Sequence, residues 1–192
     1  MNNSKFTHDY YDLIKKYKDF HEFGIGKLLP QDTFAGTSLS PWALILRELF
    51  QKNNYKSLID FGCGKAGLYE KEIDLDGKKF QGLSKFWDCD DIYLYDPAVE
   101  KYSKYPDKKA DVVICTDVLE HITPQDIDFF IDNLYMLAEK LLFVVVSVRA
   151  ASKFFEDGRN IHLTIKPPEE WKKIFKRFND KYKSINTIIH FN

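Results

Sequence analysis

The chain has 192 residues, of which 44% are hydrophobic, 16% aromatic and 30% charged. This composition is typical of a folded globular protein rather than a disordered one, and the length suits one domain. The formal net charge of -1 gives no general electrostatic attraction to nucleic acid or to an anionic membrane. A nucleic-acid partner is therefore disfavoured, although a local basic patch is not excluded, and no membrane partner is expected.

The cysteine pattern points to a reducing compartment. Cys63, Cys89 and Cys115 are odd in number and lack the spacing of metal ligands. We therefore expect free thiols, no metal site and a cytoplasmic protein. The longest apolar stretch, residues 141–148, is too short to span a bilayer, and the N-terminal residues lack the layout of a signal peptide.

The first forty residues predict a helix followed by a long loop. Apolar residues recur with helical spacing over residues 10–20, and glycines and a proline interrupt the stretch that follows. A second helix is expected to begin at Ser40, as N-cap, with Pro41 in the first helical position. We expect a single domain over residues 1–192, with residues 1–40 as a lid and residues 41–192 as an α/β core.

The rest of the chain alternates between strand and helix patterns. The predicted elements are a strand ending near Asp60, a helix over residues 66–72, strands over 92–95 and 110–116, a helix after residues 123–126, a strand over 141–148, a helix over 169–182 and an edge strand over 185–191. Such alternation indicates an α/β domain with a mostly parallel sheet. Ligands of these sheets bind beyond the carboxyl ends of the strands.

A glycine-rich turn follows the first predicted strand. Asp60 stands two residues before Gly62, and Gly64 and Gly67 complete the turn. Glycines there let the backbone approach a ligand closely, and the turn opens a helix whose N-terminus is expected to point at the ligand. The carboxylate suits a cationic ligand group better than a pyrophosphate. By itself the motif is equally compatible with an ordinary tight turn between a strand and a helix.

The turn resembles the first motif of the class I S-adenosylmethionine-dependent methyltransferases. Residues 114–122 resemble the fourth motif of that family in its D-V-L-E-H form, Asp117 to His121. The resemblance implies an α/β, three-layer Rossmann-like methyltransferase fold and S-adenosyl-L-methionine as the cofactor. The cofactor-binding residues that follow from it are Asp60, Phe61, Gly62, Cys63, Gly64, Asp96, Asp117 and Val118. Residues 34–39, 158–164 and 167–171 add a resemblance to compact bacterial or phage-type members.

The chemistry of the cofactor assigns roles to some of these residues. Its ammonium needs an acid, its carboxylate needs backbone amides, and its ribose diol needs a second acid. Asp60 suits the ammonium and the Gly62–Gly64 amides suit the carboxylate. Asp96 lies at the end of the next predicted strand and suits the diol.

Two histidines are candidate catalytic bases, because histidine is the side chain that titrates near neutral pH without perturbation. His121 ends the D-V-L-E-H motif, and His162 lies in the loop 158–164 on the ligand side of the sheet. Each histidine also has a simpler interpretation. His121 could hold the loop together or line the cofactor pocket, and His162 could lie on the surface.

The chain departs from the usual family pattern in two places. Residues 97–110 alone separate Asp96 from Asp111, which is too short for a further helix, strand and loop. We therefore expect a shortened sheet whose outer strand is missing or moved to residues 74–91, and no residue can be named for adenine. The C-terminal end supplies one strand where the family usually has a hairpin.

The sequence predicts a methyltransferase that acts on a small molecule or another polar acceptor. The alternative is a catalytically degenerate binding or regulatory module, which the shortened adenine region motivates. A nicotinamide-dependent oxidoreductase fits poorly, because Asp60 would repel a pyrophosphate. A DNA base methyltransferase fits poorly too, because residues 117–120 replace the Asn/Asp-Pro-Pro-aromatic tetrapeptide that holds a flipped base.

Overall fold

The computed structural model describes residues 5–75 and 77–192, with Leu75 described by its backbone alone. The helices are α1 (His8–Phe23), α2 (Ala43–Asn53), α3 (Gly67–Glu70), α4 (Gly82–Trp87), α5 (Ile127–Leu137) and α6 (Pro168–Lys181). The strands are β1 (Ser57–Phe61), β2 (Glu72–Leu75), β3 (Lys78–Gln81), β4 (Asp91–Tyr95), β5 (Ala110–Thr116), β6 (Ala138–Val146) and β7 (Asn186–Phe191). Short 3-10 turns occur at Pro30–Asp32, Ser40–Trp42, Glu100–Tyr102 and Leu119–His121.

Five strands form one sheet in the order β4-β1-β5-β6-β7, and every neighbouring pair is parallel. The register places Asp60 of β1 opposite Leu94 of β4 and Ile114 of β5. The carboxyl ends of β1, β4 and β5 therefore meet at one edge of the sheet. The predicted α/β architecture with a mostly parallel sheet is confirmed.

The sheet is buried on both faces, which explains the continuous apolar runs of its central strands. Val113 and Cys115 of β5 face a core built with α5 and α6, whereas Val112 and Ile114 face a core built with α2 and α4. The two cores and the sheet between them give the three layers that were expected. Within the described residues, no helix combines the length and apolar character needed to cross a membrane.

The sheet is shortened, as predicted. β2 and β3 form a separate antiparallel hairpin, and α4 follows them without adding a strand to the main sheet. Trp87 of α4 stacks on Phe50 of α2 with ring centroids 5.7 Å apart. The helix α4 therefore covers a face of the sheet, and β4 remains its outer strand. At the other edge, β7 is a single strand parallel to β6.

Two helix predictions near the glycine-rich turn are corrected. Ser40 and Pro41 begin a 3-10 turn instead of capping α2. The N-cap position of α2 is taken by Trp42, which is αR (φ -103°, ψ -8°) and makes no side-chain cap hydrogen bond. The helix α2 then begins at Ala43. The helix predicted over residues 66–72 is one turn, α3, and Ala66 before it is left-handed (φ 54°).

The helix α1 confirms the amphipathic pattern read over residues 10–20 and attaches the N-terminal segment to the core. Thr7 caps it by accepting a hydrogen bond from the Tyr10 N–H. The backbone N–H and hydroxyl of Thr7 donate to the buried Asp126 carboxylate at 2.8 and 2.6 Å. Tyr10 packs into the same core as Phe130 of α5. The N-terminal segment is thereby fixed across one side of the strand ends.

Candidate active site

A cavity of ≈ 750 Å³ opens at the carboxyl ends of β1, β4, β5 and β6. This volume is typical of a small-molecule site. Its walls come from residues within segments 10–21, 32–38, 61–64, 96–98, 116–122 and 147–162, together with Phe130 and Asn192. The predicted site residues that line it are Phe61, Gly62, Cys63, Gly64, Asp96, Asp117, Val118, His121 and His162. Sequence motifs far apart along the chain thus meet around one space.

The backbone amides of the glycine-rich turn are occupied by hydrogen bonds within the protein. The N–H groups of Gly62 and Cys63 donate to the Tyr95 carbonyl at 2.7 and 3.1 Å. The Gly64 N–H donates to Oδ2 of Asp96 at 2.9 Å. In this conformation none of these three amides is left free for a ligand carboxylate, which sequence reasoning did not foresee.

The N-terminal segment occupies the remaining amides of the turn. The Lys65 N–H donates to the Phe34 carbonyl and the Gly67 N–H to the Ala35 carbonyl, both at 2.9 Å. Gly36 fits against the turn so closely that a Cβ there would lie 2.5 Å from the Ala66 nitrogen. The start of α3 therefore faces residues 34–36 and not the cavity, contrary to the prediction that its N-terminus points at a ligand.

Asp96 connects the ends of β4 and β1. One carboxylate oxygen accepts from the Gly64 N–H and the other from the Ala98 N–H, each at 2.9 Å. Burial raises the pKa of Asp96, and the two backbone donors oppose that shift. Each oxygen keeps a further lone pair, so the carboxylate can accept additional donors from the cavity.

Asp60 does not line the cavity. It points to the opposite face of β1, where its carboxylate is 2% exposed and accepts a hydrogen bond from the Tyr69 hydroxyl at 2.9 Å. Burial raises the pKa of Asp60 to about 7, against the lowering effect of the Tyr69 hydrogen bond. The structure therefore places this acid behind the glycine-rich turn. It does not bring Asp60 together with the other predicted binding residues.

Asp117 and Val118 follow β5 on the other side of the turn. Asp117 has a left-handed backbone (φ 55°), a conformation that costs energy for a non-glycine residue and concentrates at functional sites. Its carboxylate accepts from the Asn192 side chain at 2.8 Å, and burial raises its pKa. The Val118 side chain packs on Gly62, where it leaves no room for a Cβ.

His121 is held from one side by the N-terminal helix. Its Nδ1 lies 2.8 Å from the Tyr17 hydroxyl and 3.1 Å from the Ile161 carbonyl. Burial, together with the charge of nearby His162, lowers the pKa of His121 to about 3. The ring is therefore neutral at physiological pH.

His162 and Glu120 flank His121. The two imidazole rings meet edge to face with centroids 4.8 Å apart. Nδ1 of His162 lies 2.6 Å from the Arg149 carbonyl. Glu120 is fully buried, and this burial raises its pKa to about 8. The structure thus brings both predicted histidines together beside a carboxyl group to which sequence reasoning gave no role.

Sequence reasoning missed three contributors to this cavity, Glu120, Tyr10 and Tyr17. Glu120 stands inside the D-V-L-E-H motif, so its position next to His121 was the available signal. Tyr10 and Tyr17 of α1 have helical spacing and were indistinguishable from core aromatics. Their position at the cavity depends on how α1 packs across the sheet edge, and no local pattern encodes that packing.

An all-parallel sheet with a glycine-rich turn and acids at its carboxyl edge defines a Rossmann-like α/β domain. A family model described as a methyltransferase domain matches residues 37–182. The match spans the core from α2 to α6, and the chain belongs to this methyltransferase domain family. Neither the curated proteins nor the solved structures give a match to the chain. Residues 5–36, which supply one wall of the cavity, lie outside the matched range.

Proposed function

We propose that the protein is an S-adenosyl-L-methionine-dependent methyltransferase acting on a small polar acceptor in the cytoplasm. The observation that carries the proposal is Asp96, a carboxylate on the cavity wall that also bonds the glycine-rich turn. The three free cysteines are buried, which agrees with a reducing compartment. The family match gives no support to the alternative of a degenerate binding module.

The donor set of the cavity fits this cofactor. Asp96 would accept the ribose hydroxyls with the lone pairs that its two backbone donors leave free. Pro97 and Ala98 beside it, with Phe130 and Ile14, offer the apolar surface that a base needs. Asp117 and Val118 would line the pocket between the turn and the acceptor. Asp60 would act from behind, by holding the turn through Tyr69.

Cofactor binding would be coupled to the N-terminal segment. A ligand carboxylate reaches the amides of Lys65 and Gly67 only if the carbonyls of Phe34 and Ala35 release them. At Gly64 it competes with Asp96 in the same way. Residues 5–40 would therefore act as a lid whose closed state uses the same donors as the ligand.

When bound, S-adenosyl-L-methionine supplies an activated methyl group. The protein's contribution is to hold the acceptor in line with that group and to accept the acceptor's proton. His162 is the proposed base and would receive the proton at Nε2, since its Nδ1 faces the Arg149 carbonyl. The other histidine predicted from the sequence, His121, has a pKa lowered to about 3 and would line the pocket beside it as a neutral ring. Tyr17 would fix the orientation of His121 through its hydroxyl.

Isothermal titration of the full chain with S-adenosylhomocysteine tests the proposal. We expect one equivalent to bind, and Asp96→Asn to weaken binding about tenfold or more, because hydrogen bonds to a charged acceptor are lost. Asp107→Asn, an exposed acid in the same connection, is the matched control for loss of charge. Absence of binding, or equal affinity of both variants, would contradict the proposal once circular dichroism shows that Asp96→Asn is folded.

A further inference from the structure

Three side chains on the wall of the cavity form a compact set of possible metal ligands. Glu120, His121 and His162 each offer a ligand atom, and these atoms all lie within 4.8 Å of one another. The sequence predicted no metal site, because its three cysteines lack the spacing of metal ligands. Here two ligands are neighbours in the chain and the third comes from a loop that packs beside them.

The hydrogen bonds of the two histidines leave their outer nitrogens available. Nδ1 of His121 lies 3.1 Å from the Ile161 carbonyl, and Nδ1 of His162 lies 2.6 Å from the Arg149 carbonyl. A carbonyl oxygen only accepts, so Nδ1 of His162 carries the hydrogen. Nδ1 of His121 also lies 2.8 Å from the Tyr17 hydroxyl, which can accept its hydrogen because that hydroxyl donates to the Ile161 carbonyl at 3.3 Å. Nε2 of a neutral ring then keeps its lone pair. Histidines that bind metals are commonly oriented in this way, by a second hydrogen bond from the other ring nitrogen.

Glu120 provides an independent indication of a cation. The side chain is fully buried, and Oε1 accepts a hydrogen bond from the Ser147 N–H at 3.1 Å. Oε2 has no hydrogen-bond partner among the described residues. A buried carboxylate oxygen without a partner is costly, and no Lys or Arg of the described residues forms an ion pair with Glu120.

We propose that Glu120, His121 and His162 bind a divalent transition-metal ion at the wall of the cavity. Two imidazole nitrogens and one carboxylate oxygen suit Zn²⁺, Fe²⁺ or Mn²⁺ better than Mg²⁺ or Ca²⁺, which prefer oxygen ligands alone. Metal–ligand bonds of about 2.1 Å require the three ligand atoms to move closer to one another by about 1 Å. Three protein ligands leave coordination positions open towards the cavity.

Any catalytic role of the metal rests on the proposed methyl transfer. The binding of the metal to the three side chains does not depend on that proposal. An open coordination position beside the pocket suits an oxygen atom of the acceptor. The acceptor class is then one that presents a hydroxyl group to the metal. The two imidazoles are ligands in this state, so the proton of the hydroxyl leaves to solvent or buffer instead of to histidine.

Calorimetric titration with ZnCl₂ and with MnCl₂ tests the site on full-length protein freed of metal by a chelator. We expect one equivalent to bind with a dissociation constant in the micromolar range or below. His162→Gln removes a half-exposed ligand and should weaken binding at least about tenfold. Glu120→Gln keeps the shape of the buried side chain and should have a similar effect. His8→Gln, at an exposed histidine paired with Asp12, is the matched control.

Two results would overturn the proposal. One is the lack of binding of either ion to the wild-type protein, and the other is equal affinity of the wild type and His162→Gln. A loss of binding in His8→Gln alone would assign the ion to the surface pair and also overturn it. A parallel titration with S-adenosylhomocysteine separates the two proposals, because the cofactor contacts at Asp96 involve none of the three ligands.

Discussion

At the scale of single residues, the acids at the carboxyl edge of the sheet have different surroundings because their side chains lie on different sides of the sheet. Asp96 and Asp117 line the cavity, whereas Asp60 lies on the far face of β1 against Tyr69. A strand alternates its side chains between faces, so a shift of one residue decides whether an acid meets the ligand. The buried position of Asp60 also makes its ionisation unfavourable for the folded state.

Asp60→Asn is expected to stabilise the protein more at pH 8 than at pH 5. Burial raises the pKa of Asp60 from 3.8 to about 7. Between these values the unfolded chain releases a proton that the folded chain keeps, so the wild type loses stability as the pH rises through this window. The gain on substitution should be larger at pH 8 by about 2–3 kcal/mol, from about 1.4 kcal/mol per pKa unit.

Urea unfolding of the variant and the wild type at both pH values gives this difference directly. Subtracting the two proteins at each pH cancels the titration of all other groups. Asp107→Asn removes an exposed carboxylate and should show no such pH-dependent gain. A gain for Asp60→Asn that is the same at pH 5 and pH 8 would show that Asp60 ionises normally in the folded protein.

At the scale of elements, the loop residues 34–36 pack against the glycine-rich turn through backbone hydrogen bonds. Phe34 and Ala35 accept backbone hydrogen bonds from Lys65 and Gly67, and Gly36 (φ 72°) lets the two backbones approach. This contact occupies the first amide of α3, that of Gly67. The helix ends after one turn because Lys71 is extended (φ -81°, ψ 145°) and leads into β2.

Gly36→Ala should separate the N-terminal segment from the turn. Its Cβ would lie 2.5 Å from the Ala66 nitrogen and 2.7 Å from the Cys63 carbonyl oxygen, which are backbone atoms that cannot rotate away. Gly26→Ala is the matched control, because Gly26 also has a positive φ (60°) but a Cβ there meets no atom within 4 Å. Urea unfolding should show about 1–3 kcal/mol more loss for Gly36→Ala, from the steric clash alone.

Limited proteolysis provides a second measurement of the same contact. Cleavage within residues 24–40 should be faster in Gly36→Ala than in Gly26→Ala, because local opening exposes the segment. Equal unfolding free energies for the two variants would mean that the segment is not held by this contact.

At the scale of the whole molecule, the cavity is a joint product of the family core and the N-terminal segment. The core contributes the strand ends, while α1 contributes Tyr10, Ile14 and Tyr17. Hydrogen bonds from Thr7 to the Asp126 carboxylate connect the N-terminal segment to the core. A ligand that contacts both parts should therefore stabilise the protein as one unit.

Thermal unfolding should report this stabilisation. S-adenosylhomocysteine at about 100 times its dissociation constant adds about 2.7 kcal/mol, which raises the midpoint by about 5–10 °C for a domain of this size. Calorimetric scans at increasing ligand concentration give the dependence of the unfolding midpoint on that concentration. A midpoint that does not move at millimolar ligand would contradict the proposed cofactor.

Much of the fold could be predicted from local patterns. The continuous apolar run of residues 141–148 lies largely within β6, and β5 has the predicted bounds, Ala110–Thr116. The short connection after Asp96 correctly predicted a sheet without a further outer strand. Two element boundaries failed: α2 begins at Ala43 after a 3-10 turn at Ser40, and the extended Lys71 ends α3 after one turn. Residue periodicity does not specify the backbone conformation at such boundaries.

The sequence by itself determined the alternation of strands and helices, the methyltransferase motifs and the residues that gather at the carboxyl edge of the sheet. The alternation and the gathering of residues at that edge follow from periodicity and chain order, and the motifs follow from their resemblance to the methyltransferase family. The tertiary structure alone decided that Asp60 faces away from the cavity, that the amides of the turn are occupied, and that Glu120 meets two histidines with one oxygen unpaired. Those outcomes depend on which face a side chain takes and on contacts between residues far apart in the chain.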